Sequence, residues 1–206
     1  MSDRAAIEKT AKEAEPFQEV QRDYYREFQQ KEGIPVNRGF HVSDLRTLEV
    51  KPWPRMGGLG AYVNLFGEEV MGDNYVCEIP PGQNLKPQRH MYEELVYVLS
   101  GRGATTFRTR PGGPKWTFEW GEQSLFAIPP NLEYQHFNGD AARPARLFAK
   151  TTLPALFQYF KDPKFIFEND FVFGEIEKDF YSAEAKIYRG QHDVIVWEAN
   201  FIPDVR

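Results

Sequence analysis

After Gly33 the chain breaks into short apolar runs separated by Gly and Pro, and this texture limits its fold more than any other feature. Runs at residues 61–66, 74–79, 95–99, 104–109, 116–120, 125–128, 133–137 and 147–151 read as strands, each bounded by turn residues. Residues 110–115, RPGGPK, read as a hairpin loop. Many short strands at this spacing indicate a mainly β chain folded as an antiparallel sandwich or barrel. The aromatic share of 15% suits a β-rich core better than a helical bundle.

The flanks differ from this middle. Residues 1–15 are polar and rich in Ala, Glu and Lys. From Pro16, the positions Phe17, Val20, Tyr24 and Phe28 recur at helical spacing, and Gly33 with Pro35 is a stop, so the pattern predicts an amphipathic helix over 16–32. Residues 156–173, LFQYFKDPKFIFENDFVF, read as an aromatic arm packed across the β-domain or a neighbour. The expected organisation is an N-terminal helix and extended arm over 1–58, a β-barrel over 59–152, and a C-terminal aromatic-rich arm over 153–206. The helix and arm carry more apolar surface than one barrel needs, so a homodimer is expected.

Composition narrows the function classes. The formal net charge is -5 and there is no Lys/Arg run, which argues against a nucleic-acid partner. No apolar stretch approaches the roughly 20 residues of a membrane span, and the first residues lack the apolar core of a signal peptide. The single cysteine, Cys77, excludes an internal disulfide and a zinc ribbon and reads as a core residue. These features predict a reduced, cytoplasmic protein acting on a small molecule.

Residues 82–101 read GQNLKPQRHMYEELVYVLSG. Their spacing is similar to the first motif of the cupin superfamily: a Gly, five residues, His-x-His, three residues, Glu, six residues and a Gly. Gly82, His90, Glu94 and Gly101 match it, and Gln88 stands where the first His is expected. The second motif resembles QSLFAIPPNLEYQHFN, in which Pro129 and Asn138 match. There Gln123 replaces the leading Gly, Asn131 the middle Gly and Tyr134 the His, while Asn131 tolerates positive φ better than most residues. The resemblance covers about residues 60–152 and implies a cupin double-stranded β-helix. The phrases PQRHMYEELVYVLSGRGATT, YQHFNGD and VWEANFIPDV further resemble the N-terminal barrel of a two-cupin protein.

Strand alternation puts Gln88 with His90, and Tyr134 with His136, on shared faces that point into a cupin barrel. Of four histidines, His41 and His192 lie outside the barrel, so a three-His, one-Glu site cannot be assembled there. His90, Glu94 and His136 remain as metal ligands. Two imidazoles and a carboxylate suit Fe(II) best, and Mn, Ni or Zn as well. Gln88 is placed as a pocket hydrogen-bonder, Tyr134 as an acid/base, and Glu93 as a solvated residue. Two functions follow: a metal-dependent, dioxygenase-like enzyme on a small organic or aromatic acid, or a metal-free small-ligand-binding or assembly module. The enzyme is the leading expectation and the module the alternative, which the substitutions at Gln88 and Tyr134 support.

Overall fold

Strand β9 (Glu133–Asn138) alternates partly buried with buried residues, so Tyr134, His136 and Asn138 face inward. The same period of two runs through β10 (Ala145–Thr151) and the first five residues of β5 (Glu94–Ser100), while β4 (Asp73–Ile79) is buried at six of its seven positions, and together these strands build one shared interior. The structure is a computed structural model and describes residues 22–68, 70–108, 112–173, 186–189 and 195–206.

In chain order the other strands are β1 (Val36–Gly39), β2 (Lys51–Trp53), β3 (Gly58–Leu65), β6 (Gly103–Arg108), β7 (Trp116–Trp120), β8 (Leu125–Ile128), β11 (Lys186–Arg189), β12 (Ile195–Glu198) and β13 (Phe201–Ile202). An eight-stranded sheet runs β1-β3-β4-β10-β5-β8-β13, with β2 also on β3. A three-stranded sheet, β7-β6-β9, faces it. Core residues come from both: Tyr62, Tyr75, Val96, Phe126 and Leu147 from the first, Phe107, Phe118, Trp120 and Tyr134 from the second. This is the mainly β, double-sheet barrel expected.

All eight expected strands are present, as β3 to β10. The large sheet also recruits β1, β2 and β13 from the flanking segments, and β1 pairs in parallel with β3. Short, polar and Gly/Pro-containing segments such as VNRG and KPW carry no alternation that would reveal them as strands.

The motif turns keep their backbone geometry. Gly82 and Gly101 have φ of 63° and 88°. Gln123 and Asn131, which stand where glycines are expected, also adopt positive φ, 71° and 59°. Close packing explains another glycine. A Cβ on Gly60 would lie 2.3 Å from Trp53 Cε3. Gly60→Ala must displace a buried indole and is expected to cost about 1–3 kcal/mol in urea unfolding.

Among the described residues three helices close one end of the barrel: α1 (Tyr24–Glu32), α2 (Leu153–Phe160) and α3 (Pro163–Phe167). The helix expected over 16–32 begins, among the described residues, at an Asp23 cap whose side chain accepts from Arg26 N at 2.9 Å. Tyr25 and Phe28 of α1 pack with Leu153, Phe157 and Ile166 of the arm, and with Tyr92 of the barrel. The arm lies against the barrel, as expected. Met91 N donates to Ile166 O at 2.8 Å, and the Asn131 amide donates to the carbonyls of Asn169 and Phe171.

Candidate functional site

His90 and Glu94 come from the first motif, Tyr134 and His136 from β9, and all four are at most 2% exposed. His90 Nε2 lies 3.1 Å from Glu94 Oε2 and 3.0 Å from the Tyr134 hydroxyl. Tyr134 donates to Glu94 Oε2 at 3.2 Å. Three polar atoms therefore form a nearly equilateral triangle. Glu94 Oε1 accepts from the Tyr75 hydroxyl at 2.6 Å.

Proton positions follow from the partners. His90 Nδ1 is 3.0 Å from the Tyr92 carbonyl, an acceptor, so Nδ1 carries a hydrogen. Nε2 then faces Glu94 Oε2 and the Tyr134 hydroxyl. Burial pushes the Glu94 carboxyl up, but the His90 hydrogen bond and charge and the Tyr75 hydrogen bond outweigh it, so its pKa falls below the usual range. Burial, with Glu94 nearby, holds the Tyr134 phenol well above its ordinary value and so protonated. The ring of Tyr92 stacks flat on His90 with centroids 3.7 Å apart, fixing the imidazole plane.

His136 stands apart. Its Nδ1 is 2.7 Å from Thr105 Oγ1, which also accepts from Trp120 Nε1 at 2.9 Å. Its Nε2 is buried without a hydrogen-bond partner among the described residues. Burial lowers its pKa to about 4, leaving it neutral at physiological pH. Among the described residues, no group of three or more His, Cys, Asp or Glu side chains is placed to hold a metal ion. The structure brings His90 and Glu94 together with Tyr134, and leaves His136 beside them with its ring 5.0 Å from that of Tyr134.

Gln88 is near the triangle but turned from it. Its amide nitrogen donates to the carbonyls of Arg55 (3.3 Å) and Lys86 (3.1 Å), and its oxygen accepts from Arg55 Nη1 at 3.2 Å. Its hydrogen bonds to Arg55 are directed at a residue the motif does not contain. Tyr75 lies in β4, which is buried at six of its seven positions and so carries no alternation that would single it out. Arg55, Thr105 and Trp120 carry no sequence signal. Burial raises the Cys77 thiol pKa, as suits a core residue. Glu93 and His41 are exposed. His192 lies outside the described residues.

Residues 75–150 match the cupin domain family. They form a cupin domain. Similar folds occur in vicilin from Capsicum annuum (17% identity over 48% of this chain and 28% of that chain, TM-score 0.42) and in the cupin domain of Schizosaccharomyces pombe Cnp3 (19%, 53% and 71%, 0.43). Bacillus subtilis oxalate decarboxylase, a protein with Mn(II) centres, is similar at 18% identity over 54% of this chain and 30% of that chain, TM-score 0.43. These likenesses concern the fold of the cupin domain alone. This chain spans little more than a quarter of the vicilin. No curated protein sequence matches the chain. Among the described residues no helix is long and apolar enough to cross a membrane.

Proposed function

We propose that this cupin domain is a small-ligand-binding module whose centre is completed by Tyr134 and a proton instead of a metal. The observation that carries the reading is the Tyr134 hydroxyl, 3.0 Å from His90 Nε2 and 3.2 Å from Glu94 Oε2. A protonated phenol is a poor metal ligand but a good hydrogen-bond donor, and here it spans the two surviving motif residues. Gln88 faces Arg55, and His136 faces Thr105, so neither completes a ligand shell. Trp53, Tyr62, Tyr75 and Phe107 fill the barrel interior, which favours a ligand at the mouth, toward Arg55 and the helices.

One observation favours a second reading, a metal-dependent, dioxygenase-like enzyme on a small organic or aromatic acid. His136 Nε2 is buried, neutral and without a hydrogen-bond partner among the described residues, as suits a metal-ligating imidazole nitrogen. Turned toward His90 and Glu94, it would complete a two-imidazole, one-carboxylate set suited to Fe(II), Mn, Ni or Zn. Such an ion supplies Lewis acidity and an open coordination position. Tyr134 would then hold a proton beside the substrate, and the Tyr92 carbonyl and Tyr75 hydroxyl would orient His90 and Glu94.

Metal analysis of protein purified without chelator, with melting curves in added Fe(II), Mn(II), Ni(II) or Zn(II), separates the readings. A metal at about 100 times its Kd adds about 2.7 kcal/mol, which moves Tm by roughly 5–10 °C for a chain of this size. The metal-free reading expects substoichiometric metal and an unmoved Tm. Stoichiometric metal, with a shift of that size that disappears in His90→Ala, establishes the enzyme reading's site instead.

A further inference from the structure

We propose that Arg55 anchors a site for a small organic carboxylate at the junction of the helical cap and the barrel mouth, and that Glu32 of the same chain occupies it in the ligand-free state. The inference rests on the ligand-binding reading above and names the ligand class. It does not depend on whether the barrel centre holds a metal.

Arg55 sits in the turn between β2 and β3. Its guanidinium lies 5.0 Å from the ring centroids of Trp53 and Phe167 and 5.7 Å from that of Phe28. Those rings come from the barrel, α3 and α1, so one cation is framed by three apolar walls from three parts of the fold. Arg55 Nε donates to Glu32 Oε2 at 2.7 Å, and Trp53 Nε1 donates to the same oxygen. Nη1 donates to Gln88 Oε1 at 3.2 Å. The contact with Glu32 is thus one-pronged: a single carboxylate oxygen takes both donors, and Nη2 has no hydrogen-bond partner among the described residues. Guanidinium binds a free carboxylate best through two parallel N–H donors, an arrangement Glu32 does not make here. The pair is not sealed in, since the Arg55 side chain is 22% exposed and that of Glu32 is 10%.

Glu32 is a weakly held occupant on other grounds. It is the last residue of α1, followed by Gly33 at φ 72°. A carboxylate at a helix C-terminus opposes the helix dipole, so the helix does not favour its charge there. Local sequence preference is broken at this residue, and its compensation is Arg55. Such conflicts mark functional positions.

Gln88 also gains a purpose. A cupin first motif has a histidine there, whereas Gln88 presents a neutral oxygen to Arg55 and donates to the Arg55 and Lys86 carbonyls. It orients the guanidinium without neutralising it. The charge stays available for an incoming anion, and the flat rings of Trp53, Phe28 and Phe167 suit a flat apolar body attached to that anion.

Isothermal titration of the full chain with benzoate and its neutral isostere benzamide tests this. Benzoate should bind, and benzamide should bind at least about tenfold more weakly. Glu32→Gln removes the internal competitor and should tighten benzoate binding about tenfold, because the competent fraction rises. Arg55→Gln should abolish benzoate binding, and Arg55→Lys, which keeps the charge but loses the fork, should weaken it. Equal binding of the two probes overturns the carboxylate anchor and leaves a ligand-binding module standing. Absence of binding by either probe, or benzoate affinity unchanged or reduced in Glu32→Gln, overturns the proposal. If near-UV circular dichroism shows Arg55→Gln unfolded, the benzamide and Glu32→Gln comparisons decide alone. Stoichiometric metal at His90 would refute the metal-free centre and leave these outcomes unaffected.

Discussion

Glu94→Ala is expected to destabilise the fold by about 3–5 kcal/mol, the loss seen when one partner of a buried charged pair is removed. Glu94 is 2% exposed and its two oxygens take three contacts: Tyr75 at 2.6 Å, Tyr134 at 3.2 Å and His90 Nε2 at 3.1 Å. Without it, His90 keeps its Nδ1 bond to the Tyr92 carbonyl, but two buried phenols lose their acceptor and His90 Nε2 loses its contact with a carboxylate oxygen. The penalty is mainly this abandonment of polar groups, not the worth of the pair itself. Glu94→Gln should cost less, because an amide oxygen still accepts from Tyr75. Equilibrium urea unfolding of Glu94→Ala, His90→Ala and the double variant measures the coupling. A double variant no less stable than either single one would show the pair acting as a unit. A loss below about 1 kcal/mol for Glu94→Ala would show that the triangle does not hold the core. The sign of the pH response is also fixed. Glu94 is depressed in the folded state, so its contribution is present above the ordinary carboxylate range and fades as pH falls through the depressed value.

How much of this was legible in the sequence depends on whether a residue acts through its neighbours in the chain or across space. Several barrel strands were legible because alternation is a local property, and β9, β10 and most of β5 display it. The motif spacing fixed His90 and Glu94 as neighbours, and they touch at 3.1 Å. Even the replaced glycines kept their meaning, since Gln123 and Asn131 hold positive φ where the motif turns require it. The direction of Gln88 was not legible. Its partner Arg55 lies 33 positions away, and only the fold brings the turn after β2 against the first motif. His136 shares an inward face with Tyr134, as alternation demands, yet a shared face does not set which way an imidazole nitrogen points. That was decided by Thr105 on the neighbouring strand β6, which pairs with His136 in register and offers it a hydroxyl.

The pH dependence of stability should be dominated near neutrality by Asp73, and Asp73→Asn should flatten it. Asp73 opens β4 beneath α1 and is fully buried. Its Oδ1 accepts from Asn64 Nδ2 at 2.6 Å, and Asn64 Oδ1 accepts from Gln29 of α1 at 2.9 Å. Gln29 in turn donates to the Tyr25 hydroxyl at 2.7 Å. Among the described residues no cationic side chain joins this chain of contacts, and Asp73 Oδ2, Gln29 Oε1 and the Tyr62 hydroxyl are buried without hydrogen-bond partners. Burial raises the Asp73 pKa from 3.8 to about 7, and the Glu68 carboxylate adds to the rise. The folded state therefore holds a proton that the unfolded chain releases near pH 3.8. Between that pH and about 7 the folded state binds more protons, so stability falls as pH rises and levels off above the folded value. A shift of about three units corresponds to about 4 kcal/mol across that window. Asp73→Asn cannot ionise and keeps an oxygen for Asn64. It should match the natural protein near pH 4, exceed it by a few kcal/mol above pH 7, and protect the α1 amides from hydrogen exchange at alkaline pH. Urea midpoints measured from pH 4 to 9 give the test. Parallel curves for the two proteins would mean that Asp73 does not carry its proton into the folded state.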